Sequence, residues 1–154
     1  MDSGLAVILG AVIALVSSAV IPWIRDALTE KRAERARRNR AIDKSIRDLT
    51  HALVARSYAR PLTRMDQAAL DIDARDLLTR FDLLLDGRHE PLSVAIDQAF
   101  QDAASDDTEL RILARAITPL RLTGWRSGIY TSPDVYKRYM DQRADAEVRA
   151  ASEA

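Results

Sequence analysis

Residues 4–24, GLAVILGAVIALVSSAVIPWI, carry no charged side chain, and the chain turns basic immediately after them. A helix of 21 residues rises about 31 Å at 1.5 Å per residue, against roughly 30 Å of bilayer hydrocarbon. The run is therefore long enough to span a membrane. A cleavable signal peptide would open on a positive segment and use a shorter apolar stretch, whereas here Asp2 precedes the run and the cations follow it. A retained transmembrane helix over 4–24, with 1–3 as a short external N-terminus, is the expectation.

The cations set the orientation. Arg25, Lys31, Arg32, Arg35, Arg37, Arg38, Arg40 and Lys44 all follow the run, and the positive-inside rule places them, with residues 25–154, on the cytoplasmic side of the inner membrane. Trp23 stands where an aromatic belt sits, and Arg25 just beyond it reaches the headgroups, so these two are the expected interface anchors. Lys31, Arg32, Arg35, Arg37, Arg38 and Arg40 are the expected lipid-facing cations, since a basic side chain near anionic headgroups gains about 1 kcal/mol. Pro22 removes a backbone donor and frees the carbonyl of Ser18, which predicts a modest kink. Ala6, Gly10, Ala14 and Ser18 recur every fourth residue and give one face small side chains, the surface through which a second helix, including that of another copy, packs closely.

Charge is unevenly spread. The formal net charge is zero, yet residues 25–64 hold 12 Arg or Lys against 5 Asp or Glu, and residues 66–109 hold 3 against 12. Either the two blocks attract one another, within or between chains, or the basic block meets lipid while the acidic one is solvated. Cysteine is absent, so no disulfide or thiolate metal site holds the fold.

Beyond the span the pattern is helical throughout, and no window alternates as a strand does. The segment from Ile24 to about Ala59 lacks Gly and Pro, predicting that the membrane helix continues as a basic juxtamembrane stalk over 25–60. Ile42, Ile46, Leu49 and Leu53 give its second half an apolar face, too short for a coiled coil and suited to a local bundle. Residues 61–141 read as the cytoplasmic helical domain. Leu70, Leu77, Phe81 and Leu84 share a face over 66–86, widened by Leu78 and Leu85, and Gly87 ends it. Pro91 opens a helix burying Leu92, Ala95, Ile96, Ala99 and Phe100. Residues 105–108 cap a short helix with Leu110, Leu113 and Ile117, which Pro119 is expected to end. Ser132 and Pro133 read as N-cap and first position of a last helix through Tyr136, Tyr139 and Met140. Past Asp141 alanine is almost the sole apolar residue, predicting a frayed tail over 142–154. The fold class expected is all-α: one N-terminal transmembrane helix, a long stalk helix and a small helical bundle.

Chemistry-bearing motifs are few. DIDARD, 71–76, has the carboxylates of a calcium loop but places Arg75 at a ligand position and Asp76 at the turn glycine, so it reads as a solvated helix face. His51 and His89 have no second ligand at metal spacing. There is no nucleophile elbow, P-loop or dinucleotide fingerprint, and the expectation is a non-enzymatic chain without metal or cofactor. LTGWRSGIY, 122–130, reads as the one non-helical stretch with specific character. Trp125, with Arg126 beside it, fits a partner-binding anchor on a loop; alternatively Trp125 and Ile129 fold back over the core, the reading favoured because a domain with few aromatics buries those it has.

The arrangement of span, Arg-rich stalk and small cytoplasmic helical domain resembles that of many small single-pass proteins of unassigned role in high-GC bacteria and their phages or prophages. The resemblance covers the first 60 residues and lies in layout, not motif, so it carries over no functional residue. The expected function, read from the layout of span, stalk and helical domain, is a membrane-anchored interaction protein with a protein partner at the inner face, and, for a phage-derived chain, an envelope-level role such as phage exclusion or defence. Two other classes stand beside it. A holin-like oligomeric pore is disfavoured by a span with no ionisable residue to line water. A membrane-tethered nucleic-acid binder is disfavoured by the position of EKRAERARRNR, 30–40, close to the membrane surface.

Overall fold

The structure, a computed structural model, describes the backbone of residues 2–59, 63–85 and 87–153 and the side chains of residues 23–59, 63, 65–85 and 87–152. Its elements are α1 (Asp2–Tyr58), α2 (Arg64–Leu85), α3 (Glu90–Ala103), α4 (Thr108–Ile112), a π-helical segment (Leu113–Ile117), α5 (Thr118–Arg126) and α6 (Ser132–Glu153). Among the described residues there is no strand, as the absence of period-2 patterning requires. The chain divides into two compact units, Met1–Arg40 and Ala41–Ala154.

The first unit is helical from Asp2 onward. From Trp23 to Arg40 every described side chain is exposed except the half-buried Ala27 and Ala36. The span expected over 4–24 and its small-residue stripe of Ala6, Gly10, Ala14 and Ser18 lie, up to Pro22, outside the residues whose side chains are described. Among the described residues no helix is long and apolar enough to cross a membrane.

The second unit begins within the segment read as stalk. Residues 41–58 of α1 belong to the bundle, because Ile42, Ile46, Leu49 and Leu53 are all buried in its core. The boundary expected at 60 therefore moves to Arg40: beyond it the charged positions Asp43, Lys44, Arg47 and Asp48 alternate with the 4-3-4 apolar spacing. Phe81 and Leu85 of α2, the whole predicted face of α3 and Val135 and Tyr139 of α6 complete that core. Arg56 ties three helices together, its Nε donating to the carbonyl of Phe100 at 2.9 Å and its Nη2 pairing with Asp71. A cation there also meets the last turn of α3, where helix carbonyls lack partners.

Two helices start by the same device. Thr63 and Asp66, and likewise Thr131 and Asp134, exchange hydrogen bonds: each Thr hydroxyl and backbone N–H donates to the Asp carboxylate, and the Asp N–H donates back to the Thr oxygen. This is a capping box with Asp in the acidic place. The hydrogen bonds from Thr131 hold the Asp134 carboxyl below its ordinary pKa. The N-cap of α6 is thus Thr131 and not Ser132. A threonine hydroxyl three residues before an aspartate satisfies two backbone donors, and Ser132 is left free to point inward, where it is buried.

Three further expectations are corrected. Pro119 does not end a helix, for the chain runs from α4 through the π segment into α5 with Pro119 in the first turn of α5. A proline ring clashes with the carbonyl four residues back and cannot donate to it. The wider π turn, in which the Thr118 N–H reaches the carbonyl of Leu113, accommodates both problems. Consequently 122–130 is not a loop from its start: Leu122–Arg126 are helical, and only 127–131 lie outside helices. Gly128, at φ 78°, makes the turn that stops α5. Lastly, α6 continues to Glu153 in place of a frayed tail. Arg143 pairs with Asp102 at 3.1 Å, Ala146 is buried, and Arg149 pairs with Glu109 at 2.8 Å.

Candidate functional site

The turn at Gly87, which adopts φ 66°, folds α2 back onto α3 and leaves a recess of about 420 Å³ along their seam. Leu78, Asp82 and Leu85 border it from α2, and Glu90, Val94 and Asp97 from α3. On each helix these positions follow i, i+4, i+7 spacing, so the recess is a groove two turns long, about 10 Å. Leu85 is buried at its base, Leu78 is half-buried and Val94 is exposed on its edge. The volume lies within the range of ligand-binding clefts, and its form is that of a seat for a helical segment.

The electrostatics of the groove set it apart. Asp82 accepts a hydrogen bond from Ser93 Oγ, and Asp97 accepts one from Gln101 Nε2 at 3.0 Å. None of Asp82, Glu90 and Asp97 is in an ion pair among the described residues, whereas Asp43, Asp71, Asp76, Asp102, Glu109 and Glu147 each hold an arginine. Three unneutralised carboxylates beside apolar side chains form a surface complementary to a basic, amphipathic partner.

His89 closes the groove at the turn. Its ring stands edge-on to Trp125, centroids 5.3 Å apart, and Trp125 in turn meets Phe81 at 6.0 Å. Its Nδ1 shares a hydrogen bond with Ser132 Oγ at 2.5 Å. The start of α6 and the end of α5 therefore buttress the groove from behind, and aromatic pairs of this geometry each add about 0.5–1.5 kcal/mol. Trp125 belongs to this packing and is half-buried, while Ile129, read as its companion over the core, is exposed. Arg126 points elsewhere, with Nε 2.5 Å from Asp43. Gly124 is held to glycine by a close approach, since a Cβ there would lie 2.6 Å from the Tyr130 ring.

On another side of the bundle sits a buried polar cluster. Asp102, only 3% exposed, accepts from Tyr139 Oη at 2.7 Å, from Arg143 Nε at 3.1 Å and from Gln98 Nε2 at 3.1 Å. Burial, reinforced by the bond to Asp102, pushes the Tyr139 hydroxyl well above its ordinary pKa and keeps it a donor. Arg121 lies nearby without a carboxylate; burial and the neighbouring Arg138 lower its pKa, and Nη2 donates to Gln142 while Nη1 finds no partner. The cluster ties α3, α5 and α6 together, through Asp102, Arg121 and the α6 residues Tyr139, Gln142 and Arg143.

Of the other residues singled out from sequence, Trp23 is 72% exposed, and Arg25, Lys31, Arg32, Arg35, Arg37, Arg38 and Arg40 are all exposed along the first unit. Among the described residues no group of three or more metal-ligating side chains converges. The groove was not legible in the sequence: its carboxylates are scattered over 82–97 and resemble any solvated helix face until Gly87 brings the two helices together. Comparisons with protein-family models, with curated proteins and with solved structures find no match for this chain.

Proposed function

We propose that the chain is a membrane-anchored, non-enzymatic interaction protein. In this reading residues 4–24 cross the inner membrane, the cations of 25–40 meet anionic lipid, and residues 41–154 bind a protein partner on the cytoplasmic side through the α2–α3 groove. The groove carries the reading: an apolar seam bordered by three carboxylates that form no ion pair among the described residues is complementary in charge to a basic helix. Membrane contact is supported by the uncharged run itself and by the exposure of Trp23 and Ile24 just ahead of the cations and of Leu28 among them. An envelope-level regulatory role, such as exclusion of an incoming phage, fits a chain so placed.

The groove, and not Trp125 or Arg126, is the place to test partner binding. Trp125 packs on Phe81, and Arg126 pairs with Asp43, so changing either perturbs the fold as well as any interface. Glu90 and Asp97 are exposed. Crosslinking the full chain in its native membrane and comparing it with a Glu90→Lys/Asp97→Lys variant gives the discriminating experiment. The proposal expects one protein recovered with the unaltered chain and lost from the variant at equal expression. Identical recoveries from both would remove the groove from partner binding.

A further inference from the structure

We infer that the occupant of the α2–α3 groove is the basic segment of a second copy of this chain, residues 28–35. This rests on the groove being the partner-binding face, and it names the partner. The chain carries, in one sequence, two surfaces of opposite character. One is the groove, with Leu78, Leu85 and Val94 among Asp82, Glu90 and Asp97. The other is the exposed helix after the uncharged run, where Leu28, Lys31 and Arg35 follow 3-4 spacing and so share a face, flanked by Arg32. Leu28 is 50% exposed, and Lys31 and Arg35 form no ion pair among the described residues. A helix with one apolar anchor followed by two cations one and two turns on fits a groove about two turns long whose edges are acidic.

The charge balance argues for a copy of the same chain over an unrelated partner. Residues 25–64 and 66–109 are strongly opposite in charge, so a second copy carries a basic surface complementary to the acidic groove. A contact of this kind is heterologous, the basic segment of one copy meeting the groove of the next, and it propagates unless rotation closes a ring. Anionic lipid competes for the same cations, which makes the assembly sensitive to membrane composition.

The absence of cysteine permits an unambiguous test with full-length chains in membranes. One chain carries Leu28→Cys alone and another Val94→Cys alone, each with its own affinity tag, so that any disulfide joining the two tags is between chains. Mild oxidation is expected to give the mixed dimer. Adding Glu90→Lys/Asp97→Lys to the second chain is expected to lower its yield about tenfold, as two exposed charge pairs turn repulsive. Adding Lys31→Glu/Arg35→Glu to the first is expected to restore it. Failure to form the mixed dimer, a yield indifferent to the reversals, or no restoration by the compensating swap would each overturn the inference. Partner capture lost on groove reversal, with no mixed dimer formed, would leave the groove as an interface and reject the second copy as its occupant.

Discussion

Asp102→Ala lowers the stability of the helical unit by about 3 kcal/mol, enough to drop its melting temperature by about 10 °C. The carboxylate is 3% exposed and is the acceptor for Tyr139, Arg143 and Gln98. Removing it leaves the hydroxyl of Tyr139, itself 1% exposed, without an acceptor, and takes from Arg143 one of its two carboxylates, with Glu147 remaining. The cost is the unmet demand of those groups more than the loss of one attraction. Tyr139→Phe, which removes the hydroxyl but keeps Arg143 paired, should cost about 1 kcal/mol, and the exposed pair of Arg149 with Glu109 less than that. Thermal unfolding followed by circular dichroism of the full chain ranks the three. The same cluster fixes an alkaline limit. Tyr139 keeps its proton more tightly folded than unfolded, so its contribution is complete below about pH 10, where a free tyrosine begins to ionise, and is lost as pH rises above that.

Two arginines placed in the uncharged run, Ala11→Arg with Leu15→Arg, remove the chain from the membrane fraction. Each arginine near the centre of a span costs about 2.5–3.5 kcal/mol on insertion scales, and the pair shifts the partition by about a thousandfold or more. Arg35→Ala with Arg37→Ala, outside the run, should leave fractionation unchanged. Its effect should appear in binding to anionic vesicles, at about 1 kcal/mol per cation and diminishing with salt. Quantitative immunoblotting of pellet and supernatant after alkaline carbonate extraction separates the two cases.

What the sequence made legible follows from how local each signal is. The apolar face of α3 is read through Phe100, because Pro91 lies in its first turn and Leu92, Ala95, Ile96, Ala99 and Phe100 keep helical spacing, whereas the buried Asp102 and Ala103 of its last turn are not read. The apolar face of 42–53 is equally local. Pro119 misleads because a proline normally stops a helix, and the π turn that lets it remain depends on the packing of Leu113, Ala114 and Thr118. The end of α6 is silent in sequence since its fixing partners, Asp102 and Glu109, lie some 40 residues away, and arginines in a polar stretch look solvated. Trp125 stands out by type alone. That it backs His89 and Phe81 depends on a glycine turn and on Ser132 being released from capping by Thr131.

The anchored topology is tested by single cysteines placed in the cysteine-free chain. Ser3→Cys and Ala144→Cys variants are exposed to a membrane-impermeant maleimide in intact spheroplasts and again after lysis. Labelling of Ser3→Cys from outside, with Ala144→Cys labelled only after lysis and both chains retained in the carbonate-washed membrane, is the predicted result. Equal labelling of both positions only after lysis, with the chain in the soluble fraction, would contradict a membrane-anchored protein.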